Sequence, residues 1–119
     1  MADILLAEDD EVLRQFLTKA LKKAGHKVID CADGGSAWRA LQERDVDLLL
    51  TDIVMPEMDG IELARKATAR RPELKVMFIT GFAAVALNPE SGTPQGAPVL
   101  SKPFHLRQLV AEVERLLSA

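Results

Sequence analysis

The chain has 119 residues with 15 basic and 18 acidic side chains, a formal net charge of −3, and 48% hydrophobic residues; that length suits one domain whose core needs neither disulfides nor a structural metal. The single Cys31 excludes an internal disulfide and any multi-cysteine metal site, and the mild acidity argues against nucleic-acid binding through clustered phosphate-neutralising cations. No apolar run approaches the ~18 residues of a membrane span, and no signal-peptide pattern follows Met1, so the expectation is a cytoplasmic domain without membrane attachment.

Residues 4–7 are a continuous apolar run ending at Glu8, Asp9 and Asp10, which reads as a first strand. From Val12 the period lengthens: Leu13, Phe16, Leu17, Ala20, Leu21 and Ala24 follow at helical spacing, and Gly25 supplies a stop. Val28 and Ile29 sit in a second strand, and Asp33, Gly34, Gly35 and Ser36 lead into a helix carrying Trp38, Ala40 and Leu41. Val46 and Leu48, Leu49 and Leu50 form a third strand ending at Thr51 and Asp52. Residues 55–60 are a loop punctuated by Pro56 and Gly60. A third helix begins with Ile61, Leu63, Ala64 and Ala67 and stops before Pro72. Residues 76–80 are a fourth strand ending at Thr80, and residues 99–101 a fifth, followed by Lys102, Pro103 and Phe104. The last helix carries Leu106, Leu109, Val110, Val113, Leu116 and Leu117. Between strands four and five, Pro89, Pro94 and Pro98 with Gly92 and Gly96 predict an irregular stretch over residues 88–98 and a fourth helix of about two turns at most.

Apolar strands separated by helices imply an α/β fold with a parallel sheet covered on both faces. Right-handed crossovers and five βα units suit the flavodoxin-like strand order 2-1-3-4-5, with the fourth helix shortened. Ligands bind such sheets beyond the strand C-termini, at the switch point between strands one and three. The carboxylates there are Glu8, Asp9 and Asp52.

Converging carboxylates repel one another, and a divalent cation relieves the repulsion. Oxygen-only ligation favours Mg²⁺ or Mn²⁺. On this expectation Asp9 and Asp52 are direct ligands, Glu8 acts through water, and the Val54 carbonyl completes the protein's share. Asp52 beside the cation is a nucleophile for a phosphoryl group. Thr80 can donate its hydroxyl to a phosphoryl oxygen, and Lys102 adds a positive point charge. Asp10 and Glu11 read as helix-start acids. His26 and His105 read as surface or capping residues, Cys31 as a small hydrophobe, Met55 and Met58 as packing, and Arg70 and Arg71 as a solvated helix end.

Glu8 and Asp9, Asp52, Met55 and Pro56, Asp59 and Gly60, Thr80 and Gly81, and Lys102, Pro103 and Phe104 together resemble the receiver domain of two-component response regulators, the CheY-like fold. The resemblance spans residues 1–119 and implies a single receiver domain with no effector domain. It also implies that Asp52 takes a phosphoryl group from a histidine kinase or a histidine phosphotransfer protein, with Mg²⁺ required. Thr80 and Lys102 would read that group and shift the surface of the fourth helix, fifth strand and last helix. The resemblance further implies a cis bond before Pro103. Residues 4–7, 55–60 and 104–106 are similar to a stand-alone regulator that acts on the ClpXP protease by protein contact.

Two departures fall on that output surface. Val99 stands where receivers commonly carry an aromatic switch residue, and the stretch at residues 88–98 replaces a long helix. Val54 and Phe82, which border the path of an attacking water, cannot orient or deprotonate it, so only slow self-dephosphorylation is expected and no enzymatic turnover. Two alternatives fit less well. An aspartyl-nucleophile, metal-dependent phosphatase of the haloacid-dehalogenase type places a second Asp where Val54 stands. A flavodoxin needs phosphate donors where Glu8, Asp9 and Asp10 would repel a flavin phosphate.

Overall fold

A computed structural model describes residues 2–81 and 96–118. The chain runs β1 (Asp3–Ala7), α1 (Glu11–Lys23), β2 (Lys27–Cys31), α2 (Gly34–Glu43), β3 (Leu48–Asp52), α3 (Gly60–Arg70), β4 (Lys75–Thr80), β5 (Val99–Ser101) and α4 (Leu106–Ser118). All strand pairs are parallel, in the order β2-β1-β3-β4-β5. The expected sheet order is therefore the observed one. The shortened fourth helix and Phe82 lie outside the described residues, as does residues 88–95 of the proline-rich stretch. Among the described residues no helix is long and apolar enough to cross a membrane.

The strands read as unbroken apolar runs because alternate residues enter two different cores. Leu5, Leu49, Val76 and Phe78 meet α2 and α3 through Ala37, Leu41, Leu63 and Ala64. Ile4, Leu6, Leu48, Leu50, Met77 and Ile79 meet α1 and α4 through Leu17, Leu21, Leu109 and Val113. Helix starts are capped as the side chains dictate: Asp10, Asp33 and Asp59 each accept a hydrogen bond from the backbone N–H three residues on.

One local expectation, that for His26, needs revising, and two other readings gain detail. The apolar arc of α1 is wider than its covered face: Leu17 and Leu21 are buried, whereas Val12 and Phe16 are exposed. Spacing identifies an apolar stripe but not how much of it a neighbour covers. His26 is not a surface residue. It is buried, accepts from the Ala2 N–H through Nδ1 (3.1 Å), and its Nε2 lies 2.5 Å from Glu114 Oε1, tying the start of β2 to α4. Arg70 and Arg71 are likewise engaged, donating to the carbonyls of Gln42 (3.1 Å) and Val46 (2.6 Å).

Candidate functional site

Parallel pairing in register brings the strand C-termini to one edge. Ala7 pairs with Thr51, Asp52 with Ile79, and Thr80 with Ser101. The residues that follow each strand therefore emerge side by side: Glu8 and Asp9 after β1, Asp52 closing β3, Thr80 closing β4, and Lys102 after β5.

Glu8, Asp9 and Asp52 each offer a carboxylate oxygen, and these lie within 4.8 Å of one another. Glu8 is fully buried and Asp52 nearly so, while Asp9 is exposed. Lys102 Nζ donates to Glu8 Oε1 at 3.1 Å and to Asp52 Oδ2 at 2.7 Å. The second Glu8 oxygen accepts from the Asp10 N–H at 3.0 Å, and the second Asp52 oxygen from the Ile53 N–H at 2.7 Å. Both buried carboxylates are thereby held in one orientation by backbone donors and a shared ammonium.

Burial pushes the Glu8 carboxyl up to about 7; the Asp10 N–H and Lys102 oppose the rise and the Asp52 charge adds to it. Burial draws the Lys102 ammonium down, but the hydrogen bonds and charges of Asp52 and Glu8 together outweigh it and raise its pKa. Three carboxylates against one ammonium leave a surplus of negative charge at this edge.

The remaining residues named from sequence fall around this cluster. Thr80 is fully buried at the end of β4, and its carbonyl accepts from the Lys102 N–H at 2.8 Å. The Lys102–Pro103 bond is cis. Val54 lies just past Asp52 with its side chain exposed. Val99, at the start of β5, is half-buried and packs against the α2 and α3 core.

Sequence reasoning missed Arg14 as a support of the site and marked Gly60 without the contact it makes. Arg14 reaches back from α1 to donate to the Glu8 carbonyl at 2.9 Å and to Asp30 at 3.3 Å, bracing the loop that carries Glu8 and Asp9. Gly60 opens α3 directly against the Asp52 backbone, and its N–H donates to the Ile53 carbonyl at 2.7 Å. An Arg four residues after a helix cap and a Gly after an Asp are each too common to signal these contacts alone.

Comparison with known proteins agrees with this geometry. Residues 4–114 match the family model of the response regulator receiver domain. The chain is 66% identical over 119 residues to the response regulator receiver protein CpdR of Brucella abortus, covering 100% of this chain and 99% of that one. It also resembles the crystal structure of the receiver domain of the hybrid histidine kinase CckA, with a TM-score of 0.80, 32% identity and coverage of 97% and 98%. A CheY-like receiver domain from Methanospirillum hungatei superposes with a TM-score of 0.87 at 27% identity, covering 99% and 94%. The chain belongs to the response regulator receiver domain family and is a phosphorylation-switched regulator of two-component signalling.

Proposed function

We propose that Asp52 is the phosphoacceptor and that Glu8, Asp9, Asp52 and the Val54 carbonyl hold Mg²⁺, with Mn²⁺ an alternative. The observation that carries this is the three carboxylates within 4.8 Å of one another, two of them paired with Lys102. An all-oxygen donor set with surplus negative charge fits a hard divalent cation. When bound, the cation offsets the charge that builds as carboxylate and phosphoryl oxygens approach.

The chain's own groups supply the rest. An Asp52 oxygen forms the bond to phosphorus as the phosphohistidine P–N bond of the donor breaks, and the imidazole leaves. Lys102, already 2.7 Å from Asp52 Oδ2, is positioned to pair with the phosphoryl oxygens. Thr80, at the neighbouring strand end, offers its hydroxyl to the same group. Val54 presents an apolar, exposed side chain beside Asp52. It has no proton to give or take, which supports a regulator that loses its phosphoryl group slowly over an aspartyl phosphatase.

Labelling tests this assignment. Acetyl phosphate with Mg²⁺ should produce one acid-stable, base-labile adduct, and EDTA should suppress it by tenfold or more, since a catalytic metal contributes several kcal/mol. Equal labelling in EDTA would overturn the metal assignment.

Lys102→Met gives a second check on the charge balance. Methionine keeps most of the apolar stem but leaves Glu8 and Asp52 unpaired. In EDTA the variant should lose about 2 kcal/mol of stability in urea titration, short of the full cost of breaking a buried pair because Glu8 can take up a proton. Saturating Mg²⁺ should recover most of that loss. An equal loss with and without Mg²⁺ would mean that Lys102 acts by packing.

The donor is a histidine kinase or histidine phosphotransfer protein, and the output is contact with a protein partner. The cytoplasm is its compartment, and residues 4–114 act as the receiver domain. Similarity to CpdR over its full length supports a ClpX-type protease as that partner, engaged by the unphosphorylated form. Pull-down with ClpX should capture Asp52→Ala more strongly than phosphorylated wild type; equal capture would refute the switch.

A further inference from the structure

Asp9 differs from the other two carboxylates at the acid edge. Glu8 and Asp52 are buried, with both oxygens of each engaged. Asp9 is exposed, and its carboxylate forms no hydrogen bond or ion pair among the described residues. Its place is therefore set by the backbone on either side. The peptide after Asp9 is held through the Asp10 N–H, which donates to Glu8 Oε2 at 3.0 Å. The peptide before it is held through the Glu8 carbonyl, which accepts from Arg14 Nη1 at 2.9 Å.

The surroundings fix Arg14 for that contact. Its backbone N–H donates to the Asp10 carbonyl at 2.8 Å, so its side chain leaves the first turn of the helix that Asp10 caps. Its side chain is only 16% exposed, and Nε donates to Asp30 on β2 at 3.3 Å. The same strand holds Glu8 from the other direction, because the Glu8 N–H donates to the Cys31 carbonyl at 3.0 Å. Adjacent residues of β2 thus fix both backbone groups of Glu8, Cys31 directly and Asp30 through Arg14.

We propose that Arg14, anchored by Asp30, is a positioning residue that sets the divalent-cation affinity of the acid edge by holding the Glu8–Asp9 peptide. The inference rests on the cation assignment above and adds what keeps Asp9 in place. Arg14 offers no ligand atom and acts only through the peptide it holds. Groups that orient metal ligands typically contribute about 10–100-fold to affinity. Charge alone predicts the opposite sign: a guanidinium near a cation site repels the ion, so removing it would tighten binding. Lysine keeps the charge but replaces the planar fork, which reaches Asp30 and the Glu8 carbonyl in two directions, with a point charge.

Mn²⁺ titrated against the full chain, with the free ion read by electron paramagnetic resonance, tests this. Kd should rise about tenfold or more in Arg14→Met and about threefold or more in Arg14→Lys and Asp30→Asn. Adding Asp30→Asn to Arg14→Met should weaken binding little further, because both act through one contact. The Mg²⁺ concentration for half-maximal acetyl phosphate labelling should rise in parallel. The labelling rate at saturating Mg²⁺ should return to within about threefold of wild type, which a general loss of structure would not allow. Asp30→Asn is a near-isosteric change at an exposed residue, so it decides the matter should Arg14→Met fail to fold. Unchanged or tighter Mn²⁺ binding in Arg14→Met and Asp30→Asn would overturn the proposal. So would Arg14→Lys matching wild type, or fully additive losses in the double variant. A wild type that binds no Mn²⁺ would overturn the cation assignment and this inference with it, whereas wild-type binding indifferent to Arg14 and Asp30 would overturn this inference alone.

Discussion

Asp52→Asn is expected to abolish acyl-phosphate formation while leaving a folded protein that is more stable without metal. The first effect is total because an amide oxygen carries no charge to attack phosphorus and no second carboxylate occupies the same place. Glu8 is fully buried, with both oxygens engaged by Lys102 and the Asp10 N–H. Asp9 is exposed, without the Lys102 contact that Asp52 has.

The second effect follows from competing charges. Asp52 is attracted to Lys102 at 2.7 Å and repelled by Glu8 and Asp9, whose oxygens lie within 4.8 Å. At an effective dielectric of ~20, one attraction and two repulsions at such separations are each several kcal/mol and nearly offset. The cost of burying the Asp52 charge then decides the sign, and asparagine should gain about 1 kcal/mol in EDTA. Intact mass after incubation with acetyl phosphate and urea titration in EDTA measure the two effects. An adduct on Asp52→Asn matching wild type would move the acceptor elsewhere, and a lower urea midpoint would show that the Lys102 attraction dominates.

Gly60→Ala should be among the most damaging single-methyl additions in the chain. A Cβ at Gly60 would overlap the Asp52 carbonyl oxygen and stand only 2.9 Å from the carbonyl carbon. The obstacle is backbone in β3, a strand buried along its whole length, so no flexible side chain can yield. Gly60 does not have a positive φ, so the requirement is space rather than conformation. Relief requires shifting α3, which is packed through Ile61, Leu63, Ala64 and Ala67. Overpacking of this kind costs about 3 kcal/mol, or roughly a 10 °C fall in melting temperature for a domain of this size. Because the strain falls on the Asp52 peptide, labelling should slow as well. A loss under about 1 kcal/mol would show that α3 slides freely on the sheet.

Much of the fold is legible in the chain because local chemistry and tertiary packing agree. Residues 4–7, 48–50 and 76–79 are apolar without interruption, and in the folded chain alternate side chains enter the two cores on either side of the sheet. Asp10, Asp33 and Asp59 announce helix starts because a short carboxylate can reach the N–H three residues on. With right-handed crossovers, those elements leave few sheet orders, and the strand ends then single out Glu8, Asp9, Asp52, Thr80 and Lys102. What those residues experience is set elsewhere. Glu8 is raised to about 7 because the whole fold excludes water from it, and its ion-pair partner Lys102 lies 94 residues away in the chain. The same holds for the exposure of Phe16 and Leu106. Periodicity marks both as apolar-face residues, but their accessibility depends on how far the packed α1 and α4 leave their seam uncovered. Apolar runs, helix caps and the polar groups that end strands are properties of short segments and can be read along the chain. Which charges are desolvated and paired, which glycine faces a backbone, and which apolar side chains stay in water each depend on neighbours distant in sequence and follow from packing.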